Sequence, residues 1–213
     1  MGDSKFGWRY WLVQILTCSR LLLAWFFVFI VIICLTHFQT MPKLWFFISL
    51  AVLILATLTD LDGWFARRFR VTTSLGAFLD PLMDKCLYAA VLLPLPVFAY
   101  REKDFLHLTV LLILVILYLQ RDHMVTTLRG LGSLHNVSAK AHWSGKVRSV
   151  FSYPMIWVIY YYFQAPPEYT WLRPSLSVIM TIEVVGIFLT LLSILQYTRK
   201  YQSAILLAGA KFE

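Results

Sequence analysis

Residues 50–67 read Leu50-Ala51-Val52-Leu53-Ile54-Leu55-Ala56-Thr57-Leu58-Thr59-Asp60-Leu61-Asp62-Gly63-Trp64-Phe65-Ala66-Arg67, an apolar run that passes directly into two carboxylates. A second apolar run carries Gly76 and then Asp80-Pro81-Leu82-Met83-Asp84-Lys85. On insertion scales a carboxylate at the bilayer centre costs about 2.5–3.5 kcal/mol, so four such charges require cationic compensation. Hard divalent ions such as Mg²⁺ are held by a few carboxylates together with substrate phosphate oxygens. The pattern therefore points to a metal-assisted phosphoryl-transfer site inside a membrane bundle.

Composition agrees with that reading. The chain has 213 residues, 60% of them hydrophobic, and a formal net charge of +8; its mean hydropathy is +0.71. Soluble domains are about 45–50% apolar, so an all-α integral membrane protein is expected. A helix needs about 20 residues to cross the hydrocarbon core, and about six runs are long enough. They are Trp11 to Leu35, Leu44 to Phe65, Leu75 to Tyr100, Phe105 to Leu119, Trp143 to Phe163 and Pro174 to Tyr197, the fourth able to run on past Arg121. Pro94, Pro96 and Pro154 are expected to kink their spans.

Lys5, Arg9, Arg67, Arg68, Arg70, Arg121, Arg129, Lys140, Arg199, Lys200 and Lys211 flank one set of span ends, against Lys43, Arg101, Lys103 and Arg173 at the other. The positive-inside rule then puts both termini and the aspartate loop in the cytoplasm. Gly7-Trp8-Arg9-Tyr10-Trp11 suits an N-terminal interfacial segment or an ordinary aromatic belt. The first run is too long for a cleavable signal peptide. Cys18, Cys34 and Cys86 lack metal-ligand spacing and read as buried fillers. No internal repeat or soluble appendage interrupts residues 1–213, which are read as a single membrane domain; no nucleic-acid partner is expected.

On a helix Asp80 and Asp84 project from one face a turn apart, a spacing that lets two carboxylates share a metal pair. Gly63, Ala66 and Gly76 let a nucleotide or a neighbouring helix approach the backbone, and Arg67 presents a planar fork to phosphate oxygens. The plainer alternative makes the small residues helix-packing contacts and Arg67 a topological anchor.

Asp62-Gly63-x-x-Ala66-Arg67, then Gly76, Asp80 and Asp84, resembles the signature of the CDP-alcohol phosphotransferases. Ile15-Leu16-Thr17-Cys18-Ser19-Arg20, the pair Arg121 and Arg129, Ser144-Gly145-Lys146-Val147 and Leu189 to Tyr197 are similar to elements of that family's bacterial phosphatidylglycerophosphate synthases. The resemblance implies about six transmembrane helices, a homodimer, and a cytoplasm-facing site, here in a bacterial inner membrane. It implies two ions, Mg²⁺ or Mn²⁺, on Asp60, Asp62, Asp80 and Asp84, with Asp84 also the general base. It further implies that Gly63, Ala66, Arg67 and Gly76 contact the CDP moiety of CDP-diacylglycerol. Arg121, Arg129 and Lys146 would bind the phosphate of an acceptor such as glycerol 3-phosphate, with Lys140 and Arg148 near the same face. The reaction implied is transfer of a phosphatidyl group to glycerol 3-phosphate with release of CMP.

One departure stands out. The family's first aspartate stands three residues before the second, where this chain has Thr59, whereas Asp60 is two before Asp62. At about 100° per residue the side chains of Asp60 and Asp62 diverge by about 200° on a regular helix. A local bulge that restores Asp60 to the metals is the favoured reading, because an idle carboxylate at that depth keeps its desolvation cost. Other functions compete: the same family with phosphatidylglycerol, inositol phosphate or serine as acceptor, a non-catalytic lipid-binding member, a polyprenyl-acceptor transferase, or a divalent-cation transporter. His123, His135 and His142 are expected to be surface or interfacial residues, and Glu183 to pair with a polar neighbour.

Overall fold

The structure, a computed structural model, describes residues 8–38, 40–58, 74–135, 137, 138 and 142–210. Regular secondary structure among them is helical: α1 (Trp8–His37), α2 (Lys43–Leu58), α3 (Ser74–Leu92), α4 (Pro94–Arg101), α5 (Phe105–Leu134), α6 (Trp143–Gln164), a 3₁₀ turn (Pro167–Leu172), α7 (Leu176–Lys200) and α8 (Gln202–Gly209). Among the described residues four stretches are long and apolar enough to cross a membrane: Cys18–His37, Leu82–Arg101, Phe105–Leu134 and Leu176–Lys200. The chain is an integral membrane protein. In hydrocarbon every backbone polar group must be satisfied within the chain, which a helix achieves by itself.

The chain forms two compact units. The first contains residues 1–95 and 160–173, hence α1, α2, α3 and the end of α6. Helix α1 is sorted by face: Arg20, Ala24, Phe27 and Val31 are buried, whereas Leu22, Trp25 and Phe29 are exposed. Spacings of three and four keep each set on one side of the helix, the apolar outer stripe suiting lipid. Inside, Tyr160 is 5.4 Å from the Phe27 ring and stacks on Phe46 at 6.4 Å, with its hydroxyl 2.5 Å from Ser49 Oγ.

The third expected span, Leu75 to Tyr100, divides in two. A turn at Leu93 separates α3 from α4, which opens on Pro94. Proline lacks the N–H that would continue the ladder and its ring crowds the preceding turn, so the chain breaks there.

The second unit contains residues 96–159 and 174–213. Asp104 caps α5 by accepting from the His107 backbone N–H at 3.0 Å, and Ser175 caps α7 by accepting from that of Val178 at 3.4 Å. Helix α5 runs to Leu134, past Leu119 and through Arg121, as the sequence allowed. Beyond Leu119 its Asp122 accepts from both Arg121 and Arg148.

Candidate active site

Helix α3 is continuous through Gly76, Asp80 and Asp84, so the two aspartates lie one turn apart on one face. The Asp84 carboxylate accepts a charge-assisted hydrogen bond from Nη1 of Arg20 in α1. Arg20 is fully buried, while 38% of the Asp84 side chain stays exposed. A guanidinium in an apolar helix needs an anionic partner, and a partly exposed carboxylate keeps room for a second ligand. In the sequence Arg20 belongs to the family-like pattern Ile15 to Arg20, with no sign of its partner. The signal that could have found its role is its position inside an apolar run, where an unpaired charge is costly. Asp60, Asp62, Gly63, Ala66 and Arg67, and the side chain of Asp80, lie outside the described residues.

The second unit gathers the arginines. Arg121 donates from Nε and Nη2 to Ser193 Oγ at 3.0 and 2.8 Å and from Nη1 to Asp122 Oδ1 at 2.9 Å. Arg129, eight residues on, donates from Nη2 to the Tyr197 hydroxyl at 2.9 Å. Their guanidinium carbons lie 5.2 and 5.5 Å from the centroid of the Tyr197 ring. Eight residues span about 12 Å of helix, a distance two long side chains can close on one ring.

Helix α6 supplies the third cation. Arg148 donates to Asp122 Oδ1 at 2.9 Å, and its guanidinium carbon is 4.3 Å from the Tyr118 ring centroid. The first turn of α6 comes close to this cluster at Gly145. A Cβ there would lie 2.8 Å from Arg121 Nη2 and 2.9 Å from the Tyr197 hydroxyl, so only glycine fits without displacing them. The His142 backbone N–H donates to the same hydroxyl at 3.1 Å.

Among these contacts Arg121 and Arg148 share one carboxylate, Asp122, which no sequence motif singles out, while Arg129 is held by the Tyr197 hydroxyl. Nε of Arg129 is buried with no hydrogen-bond partner among the described residues. Two guanidiniums on one ring, one with an unused buried donor among the described residues, suit a dianionic phosphate. Lys146, by contrast, is exposed and lines an apolar groove along α6. Lys140 lies outside the described residues. Glu183 is far from this chemistry, ten residues before Ser193 or about 15 Å along α7. It pairs with His107, Nε2 to Oε1 at 2.7 Å, both side chains being fully buried.

The family pattern of the CDP-alcohol phosphatidyltransferases matches residues 10–192. The chain belongs to this family. A CDP-diacylglycerol–glycerol-3-phosphate 3-phosphatidyltransferase of Haemophilus influenzae is 47% identical over 47 residues, 22% of this chain and 25% of that protein. Proteins of the same name from Rickettsia bellii and Bacillus subtilis are 33% identical over 97 residues and 38% identical over 77. Those matches cover 45% and 36% of this chain, and 49% and 35% of the relatives. The chain thus spans less than half the length of each of these relatives. The family pattern, in contrast, extends over most of α1 to most of α7, including Arg20 with Asp84 and the three arginines Arg121, Arg129 and Arg148, and ends just before Ser193 and Tyr197.

Proposed function

We propose that this protein transfers a phosphatidyl group from CDP-diacylglycerol to a hydroxyl of glycerol 3-phosphate, releasing CMP. The observation that carries the acceptor is the pair Arg121 and Arg129 on the Tyr197 ring, with Nε of Arg129 buried and without a hydrogen-bond partner among the described residues. A phosphate monoester carries about −1.5 to −2 charges at neutral pH and would pair with two guanidiniums. Serine, without a phosphate, would not pair with them in this way. The names of the partial relatives support the same choice.

In this reading Asp60, Asp62, Asp80 and Asp84 hold two divalent ions, Mg²⁺ or Mn²⁺. The donor set fits hard cations, being all carboxylate oxygen, with Asp80 and Asp84 on one helical face and Asp84 open to a further ligand. When bound, the ions would neutralise the diphosphate and the leaving CMP oxygen. Gly63, Ala66, Arg67 and Gly76 contact the cytidine nucleotide. Arg121 and Arg129 orient the acceptor through its phosphate, and Asp84 takes the proton of the attacking hydroxyl as the new phosphoester bond forms. Arg20 pairs with the Asp84 carboxylate and fixes its direction. The site faces the cytoplasm of a homodimeric enzyme.

The test is CMP release by the purified full-length protein in mixed micelles of CDP-diacylglycerol, with acceptors supplied singly. Release with glycerol 3-phosphate, and little with serine, inositol phosphate or phosphatidylglycerol, is expected. A preference for one of the others overturns the acceptor, and no release with any of them overturns the enzyme reading in favour of a lipid-binding protein.

A further inference from the structure

Lys146 stands at one end of a groove of about 600 Å³ that lies wholly within the second unit. Its remaining lining is apolar: Val150, Pro154 and Val158 run down α6, with Ile182 of α7 beside them. Val147 and Val150 are 44% and 74% exposed, so the groove opens outward from the helix pair. From Lys146 to Val158 the helix rises about 18 Å. One leaflet of the hydrocarbon core is about 15 Å deep, half of about 30 Å. The groove is therefore as long as one leaflet is thick.

The polar end is equally defined. Lys146 is exposed in the first turn of α6, and Trp143, 56% exposed, begins that helix. Amphipathic aromatics and lysines concentrate at headgroup level, where an ammonium at the end of a flexible stem meets lipid phosphate. Buried Arg148 is committed to Asp122 and the Tyr118 ring, which leaves Lys146 as the exposed cation of this turn among the described residues.

We infer that this groove binds an anionic phospholipid of the surrounding leaflet, one acyl chain lying along Val150, Pro154 and Val158 and the headgroup phosphate meeting Lys146. Lys146 then serves a lipid site separate from the arginine cluster. The inference does not rest on the proposed reaction, because occupancy is read without turnover.

The full-length protein in detergent is given equal amounts of dioleoyl phosphatidylserine and dioleoyl phosphatidylcholine, and retained lipid and oligomer are counted by native mass spectrometry. A preference of about fivefold for the anionic lipid is expected, the effect of one lysine near a headgroup. K146Q should bring the preference to about one, V150W should reduce retention of both lipids, and D84N should change neither. Lys146 is exposed, so K146Q folds whatever V150W does. Equal retention of the two lipids by the native chain, or an undiminished preference in K146Q, overturns the inference. So does equal loss in D84N, which would put the counted lipid at the candidate active site. A fall in dimer with unchanged lipid in V150W would show that a second copy covers the groove, and overturns it too.

Discussion

The Nη1 of Arg20 donates to Oδ1 of Asp84, joining a fully buried guanidinium of α1 to a carboxylate of α3 that is 38% exposed on its side chain. If Asp84 is base and metal ligand, its direction matters as much as its charge. Arg20→Gln is expected to lower kcat by about 100-fold, the scale of a small misplacement of a catalytic group, while the KM for glycerol 3-phosphate changes little. Arg20→Lys keeps the charge without the fork and should recover only part of the rate. Steady-state CMP release decides it; an unchanged kcat in Arg20→Gln would remove Arg20 from the site.

Metal dependence is the second expectation. Activity should vanish with chelator and return on addition of Mg²⁺ or Mn²⁺, because carboxylates gathered at membrane depth need cations to bind a diphosphate. Asp80→Asn and Asp84→Asn should each abolish turnover while the protein still inserts and purifies. Near-normal CMP release from either variant would sink the two-metal reading.

The arginine cluster predicts a split between the substrates. Arg129→Gln removes a charged donor from Tyr197 without taking a partner from Asp122. A charged hydrogen bond is worth about 1.5–3 kcal/mol, so the KM for glycerol 3-phosphate should rise about tenfold to a hundredfold and that for CDP-diacylglycerol far less. Gly145→Ala should move the same parameter in the same direction, since its Cβ would press on Arg121 and Tyr197. Equal rises for both substrates would instead mark a folding role.

Thr59 and Asp60 lie outside the described residues, and substitution decides between them. With a bulge that turns Asp60 to the metals, Asp60→Asn should be as damaging as Asp62→Asn and Thr59→Ala should cost little. Mild loss in Asp60→Asn, together with a gain in Thr59→Asp, would mean a regular helix. Direct ligation in a metal-bound structure would place the Asp60 carboxylate at about 2.0–2.6 Å from the ion.

The His107–Glu183 pair predicts a stability effect independent of catalysis. Both groups are buried, and Oε2 of Glu183 has no hydrogen-bond partner among the described residues. Removing one member leaves the other stranded, so His107→Leu should destabilise the protein by about 3–5 kcal/mol. The double change His107→Leu with Glu183→Leu should recover much of that loss. Thermal unfolding in detergent measures both, and additive losses would argue against the pair.

The sequence alone determined the class of the protein and the chemistry to look for. Apolar runs the length of a bilayer dictate helices, because no other local structure satisfies the backbone in lipid. The pattern from Asp62 through Asp84 carried the family resemblance, and helical periodicity set Asp80 and Asp84 on one face. Glu183 in an apolar span demanded a polar neighbour, although not which one.

Pairings between distant segments were decided by tertiary structure, because periodicity describes one helix at a time. Arg20 meets Asp84 across 64 residues and Arg121 meets Ser193 across 72. Asp122 could not be recognised as the shared partner of two arginines until α6 brought Arg148 to it. Lys146 and Arg148 are two residues apart and equally basic in sequence. On the helix they turn to opposite environments, one exposed beside an apolar groove and the other buried against Tyr118, because two residues correspond to about 200° of rotation.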